Sequence, residues 1–71
     1  MKANKFTVAN LNDASKITQI KESIRSHDGI NAVRLDMHAG TVTVDYDDGK
    51  YSESDIRNLV NSAGLNVIET K

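Results

Sequence analysis

The chain has no cysteine, no proline and no tryptophan, and one phenylalanine and two tyrosines among its 71 residues. Without thiols it has no disulfide, zinc finger, thiolate copper site or cysteine nucleophile. A basic excess is also missing: Lys plus Arg number 9 and Asp plus Glu 10, for a net charge of −1. That balance argues against a protein that grips nucleic acid by neutralising phosphates. No run approaches the ~20 apolar residues needed to cross a bilayer. The first ten residues, MKANKFTVAN, lack the apolar core of a signal peptide, so a cytoplasmic protein is expected. What is present is a globular balance of 38% hydrophobic and 27% charged residues, rather than a disordered one. We expect a single domain over residues 1–71, with an ordered core over about residues 4–69. With no covalent or metal staple, a chain this short must rest on its apolar core.

The apolar period changes along the chain. Phe6 and Val8 alternate with Lys5, Thr7 and Ala9, which predicts a strand with one buried face. After the polar stretch Asn10-Leu11-Asn12-Asp13, Ile17, Ile20 and Ile24 recur at the spacing of an amphipathic helix. Asn12 or Asp13 can cap its start, and Gly29 stands where a helix end favours a left-handed residue. Val33, Leu35 and Met37 then alternate with polar residues, as do Val42, Val44 and Tyr46 beyond the turn His38-Ala39-Gly40. This is the pattern of a β-hairpin. Ser52-Glu53-Ser54-Asp55 has the form of a capping box, with Asp at its fourth position. Ile56, Leu59, Val60 and Ala63 make a second helical stripe closed by Gly64, and Leu65 and Val67 open a last strand. The order β-α-β-β-α-β predicts the α+β, ferredoxin-like arrangement: a four-stranded antiparallel sheet with two helices on one face.

Residues able to carry chemistry are few. His27 falls three after Ile24 and is expected to pack, partly buried, near the helix end. His38 opens the hairpin turn, and nothing in the pattern brings the two histidines together. Asp45, Asp47 and Asp48 lack the ligand spacing and closing Glu of a calcium loop and read as a solvated turn. Ser26-His27-Asp28 has the residue types of a hydrolase triad, but neighbours along a helix point in different directions. The glycines are too scattered for a phosphate loop. The outward strand positions, with Thr41, Thr43 and Asp45 among them, lack the aromatics an RNA-recognition sheet uses to stack bases. No convergent acid, base and nucleophile can be named, so a non-enzyme is expected.

Several segments together resemble the heavy-metal-associated domain family of small copper chaperones and metal-binding ATPase domains. They are Phe6-Thr7-Val8, the Ile17, Ile20 and Ile24 set, Asp28-Gly29-Ile30-Asn31-Ala32-Val33, the strand from Gly40 to Asp47, then Ser52, Asp55, Ile56 and Ala63-Gly64. The resemblance spans about residues 4–68 and implies the fold above. It fails at the site. Where the family carries Gly-Met-Thr-Cys-x-x-Cys, this chain reads Asn10-Leu11-Asn12-Asp13-Ala14-Ser15-Lys16. Leu11 keeps an apolar anchor, while Asp13 and Lys16 replace the cysteines. A family aromatic after the helix-two glycine is also replaced, by Leu65. Cu(I) selects soft thiolates; a carboxylate is a hard ligand and an ammonium repels a cation. No cofactor and no metal site are therefore expected.

Asp13 reads most simply as a helix cap and Lys16 as a solvated residue. The sharper alternative, an Asp13–Lys16 pair standing in for the ion, would contribute only ~0–1 kcal/mol if exposed. The resemblance implies docking on another protein through Leu11, Asn12, Asp13, Ser15 and Lys16, with Leu65 nearby. The partner would be a metal-transporting ATPase domain or a second copy of the chain, with no nucleic acid and no membrane insertion. Two alternatives stand beside this: a dimeric ferredoxin-like regulatory module, and weak hard-metal binding through Asp13 and the histidines.

Overall fold

Phe6 and Val8 point to one side of the first strand, β1 (Lys2–Val8), and both are buried. The structure is a computed structural model that describes residues 2–9, 11 and 13–70, with side chains through residue 68. After β1 come α1 (Ala14–Arg25), β2 (Ile30–Asp36), β3 (Thr41–Tyr46), α2 (Glu53–Ser62) and β4 (Val67–Thr70). The sheet order is β2-β3-β1-β4, with every neighbouring pair antiparallel. This is the ferredoxin-like split βαβ topology that the pattern predicts. β1 begins earlier than the expected ordered core, because Lys2 and Ala3 pair with Tyr46 and Asp45.

One face of the sheet and the two helices share a single core. Phe6, Val33, Val42, Val44 and Tyr46 meet Ile24 of α1 and Ile56 and Val60 of α2. Ile17, Ile20, Leu59 and Ala63 pack against it half-buried, as amphipathic stripes should. Ser52 caps α2 through the expected reciprocal box: its Oγ accepts from the Asp55 N–H, and Asp55 Oδ2 accepts from the Ser52 N–H. Gly64 follows the C-cap Ala63 with φ of +100°, the left-handed position that favours glycine.

Four details differ from the sequence pattern. Met37 leaves the alternation: β2 stops at Asp36, whose Oδ1 accepts from the N–H groups of His38 and Ala39, and Met37 lies exposed in the turn. His27 is exposed rather than packed, because α1 ends at Arg25 and the helical phase no longer applies. Gly29 is not the α1 cap, a role that falls to Ser26; it opens β2 with φ of +94°. Leu65 is buried in the connection before β4, not in the strand itself. A bulge in β2 between Ile30 and Ala32 lets Ile30 and Val33 face the core together despite their odd spacing.

Among the described residues a buried polar side chain joins the core on the Phe6 face of β1. Asn4 is buried beside Tyr46. The Tyr46 hydroxyl donates to Asn4 Oδ1, and Asn4 Nδ2 donates to Glu53 Oε1 at 3.1 Å. Burial, and then the nearby charges of Glu53 and Asp48, push the Tyr46 phenol above its usual value of 10.0. Asn4→Ala should cost about 1–3 kcal/mol, because it leaves the Tyr46 hydroxyl without its acceptor; urea unfolding measures this. Gly29→Ala should also destabilise the protein. An added Cβ would sit 2.9 Å from the Tyr51 ring, on a backbone at φ +94°. Strain of this kind costs about 1–3 kcal/mol, read by the same titration.

Candidate functional site

The loop between β1 and α1 is anchored by Leu11, which is 6% exposed and belongs to the core. Asp13 has extended backbone angles and caps α1: its Oδ1 accepts from the Ser15 N–H at 3.0 Å and from the Ser15 hydroxyl at 2.7 Å. A short carboxylate is suited to this, since the first N–H groups of a helix lack internal partners. These bonds, the hydroxyl's first and the backbone's second, hold the Asp13 carboxyl below its ordinary value of 3.8, with a smaller pull from Lys16. The Lys16 N–H donates to the Asp13 carbonyl at 3.1 Å. No ion pair joins the two side chains among the described residues. The simpler reading of both positions, cap and solvated lysine, is the one the geometry follows. Asn10 and Asn12 lie outside the described residues.

Beyond Lys16, α1 presents Gln19, Ile20 and Ser23 on the same face, at three- and four-residue steps. Across an open groove of about 520 Å³ stand Leu11, Ala63, Gly64 and Leu65, with Asp13 at one end. Four of the residues expected at the site, Leu11, Asp13, Lys16 and Leu65, thus share one concavity. Ser15 is instead bonded to Asp13. Leu11 and Leu65 are 6% and 4% exposed, so they form the floor, while Asp13, Lys16, Gln19 and Ser23 are the exposed rim. Gln19 and Ser23 were missed at the level of sequence. Their helical step from Lys16 was the available signal.

The histidines do not join this site. His27 lies beyond the C-terminus of α1, with Nδ1 3.2 Å from the Ile24 carbonyl, whereas Asp13 caps the opposite end. A helix of 12 residues separates its ends by roughly 18 Å, so one ion cannot bridge Asp13 and His27. His38 sits in the β2–β3 turn, a strand length from His27. Among the described residues no group of three or more His, Cys, Asp or Glu is placed to hold a metal. Nor, among the described residues, is any helix long and apolar enough to cross a membrane.

The chain belongs to the heavy-metal-associated domain family, whose pattern matches residues 5–65. Solved structures of similar fold include a CopZ metallochaperone, 19% identical, with a TM-score of 0.83 over 94% of this chain and 100% of that one. A copper-binding domain from HMA7, a P-type ATPase, is 15% identical, with a TM-score of 0.84 over 100% of this chain and 99% of its own. A chain of the Atx1-Cu(I)-Ccc2a complex is 13% identical, with a TM-score of 0.79 over 100% and 93% of the two chains. No curated protein matches in sequence. The donor set at the family's site does not suit Cu(I). Its two soft-ligand positions hold a carboxylate already engaged by Ser15 and an ammonium. The chain is a family member without a thiolate site.

The cap has a pH signature. A carboxyl whose folded pKa is depressed stabilises the fold fully above its unfolded value and loses that contribution as pH falls through the folded value. Exchange protection at the start of α1 should therefore weaken as pH drops below about 3.8. Asp13→Asn should keep the cap and remove this acid dependence at the helix start; Asp13→Ala should lower protection at neutral pH. Amide hydrogen exchange followed by NMR distinguishes the three proteins.

Proposed function

We propose that this domain works by contact rather than by carrying copper, as a non-enzymatic docking module acting in the cytoplasm. The observation that carries this reading is the groove between α1 and the α2–β4 connection. It lies at the family's metal loop, yet the two ligand positions have become a helix cap and a lysine. Its mixed rim of Asp13, Lys16, Gln19 and Ser23 over an apolar floor suits a protein surface better than a small ion. The expected partner is a domain of a metal-transporting ATPase. The structural likeness to a copper-binding domain of a P-type ATPase and to a chain of the Atx1-Cu(I)-Ccc2a complex supports that class. A catalytic role has no support at Ser26-His27-Asp28, where the Asp28 carboxylate pairs with Lys50 at 2.7 Å and His27 lies against the Ile24 carbonyl.

Two measurements test the reading. In NMR titration with a soluble metal-binding domain of a copper-transporting ATPase, shifts should fall on residues 11–23 and 63–65, and Lys16→Glu should weaken binding at least about tenfold (a loss of ~1.4 kcal/mol). Absence of shifts there would sink the docking reading. Concentration-dependent shifts of the chain alone would favour the dimeric alternative. For cargo, the native chain should lose Cu(I) to the chelator bicinchoninate, while Asp13→Cys combined with Lys16→Cys should retain it. Stoichiometric retention by the native chain would overturn the first half of the proposal.

A further inference from the structure

β2 is an edge strand: among the described residues its neighbour in the sheet is β3, and no other strand lies along its outer row of backbone groups. Its stretch from Ala32 to Asp36 offers roughly 15 Å of edge with no strand beside it among the described residues, while the opposite edge strand β4 has 4 residues. A groove of about 410 Å³ runs along it, lined by Lys21 and Arg25 of α1, by Ala32, Val33 and Arg34 of β2, and by Asp45. The groove of about 640 Å³ toward the end of the strand shares Lys21 and Arg34 and adds the apolar side chains of Ile17, Leu35 and Met37.

The cations bracket the edge from two sides. Lys21 and Arg25 come from α1, the helix that packs over β2. Arg34 stands opposite Thr43, out of phase with the buried Val33, and so projects from the open face. None of the three makes an ion pair among the described residues. Of the nearby acids, Asp36 has its Oδ1 committed to the turn N–H groups of His38 and Ala39, and Asp45 lies one strand in, on β3. A strand added to β2 would send successive side chains to alternate faces. Acidic residues would meet Lys21 and Arg25 on one face and Arg34 on the other, and an apolar residue would reach Leu35 and Met37.

We propose that the β2 edge is a second docking surface, which takes an extended acidic segment of another protein as an added strand of the sheet. Backbone pairing supplies the contact, and the charges select the sequence. The same cations disfavour the competing occupants. A second copy paired edge to edge would bring Lys21, Arg25 and Arg34 against their own counterparts, which is how natural edges resist self-association. A nucleic acid would find no aromatic for stacking on the open face.

The test uses the full chain, isotope-labelled, at low salt. The probes are the blocked peptide EDVEDVE, which carries acids on both faces of a strand, its counterpart KKVKKVK, and an oligothymidylate of similar charge. The acidic peptide should shift amides of residues 30–36 and slow exchange at alternate positions among them. Lys21→Glu with Arg25→Glu, and separately Arg34→Glu, should weaken binding at least tenfold with circular dichroism unchanged, and N-methylation of alternate peptide amides should abolish it. Equal binding of the basic peptide or of the oligothymidylate, or shifts confined to other elements, would overturn the proposal. So would concentration-dependent changes at the same amides without peptide, since these would make the occupant a second copy.

Discussion

Phe6 on β1 and Val42, Val44 and Tyr46 on β3 lie side by side on the two central strands, closed over by Ile24, Ile56 and Val60 of the helices. Everything else in the molecule hangs from this layer. Each large side chain removed from water contributes about 1.5–3 kcal/mol, and in a chain of 71 residues without cysteine no cross-link can substitute for it. The layer also sets the direction of the loop that follows β1. Leu11 is drawn into the same core, two positions before Asp13, the cap of α1.

That geometry explains how the fold persists without thiols. A structural zinc site often supplies the folding energy of its domain, but here the loop is fixed by Leu11 below and by the Asp13 cap above, neither of which needs an ion. The start of α1 is nonetheless imperfect. Lys16 sits in the first turn, where the helix dipole favours an anion, and no acidic residue lies in that turn. α2, by contrast, begins with Glu53 and Asp55 and a complete capping box. The less favourable charge falls at the position where the family's second cysteine would be.

The two ends of the molecule are organised differently. At one end Asp28, Gly29, Lys50 and Tyr51 tie the α1–β2 turn to the β3–α2 connection. The Asp28–Lys50 pair spans 2.7 Å, the Tyr51 hydroxyl donates to the Asp28 carbonyl, and the Asp47 N–H donates to the Gly29 carbonyl at 2.9 Å. At the other end the β1–α1 loop, the β2–β3 turn and the α2–β4 connection come together, through the Val8 N–H on the Gly40 carbonyl and the Ala9 N–H on the Asn66 carbonyl. The groove opens at this second end, held by backbone bonds and a buried floor rather than by surface ion pairs.

Local order alone was enough for the elements and for most of the core. Alternation marked Phe6, Val8, Val42, Val44 and Tyr46, helical spacing marked Ile24, Ile56 and Val60, and the pattern Ser52–Asp55 marked the start of α2. The missing thiols were equally plain. What required the folded chain was whatever depends on residues distant in sequence. Asn4 falls on the Phe6 face of β1, but its partners, Tyr46 on β3 and Glu53 on α2, are distant in sequence. Gly29 reads as a helix cap until the Tyr51 ring is seen against it. Gln19 and Ser23 gain meaning only when Ala63–Leu65 close the far wall of the groove. Periodicity reports which face of an element is apolar. Which faces meet, and what lies between them, is decided by packing in three dimensions.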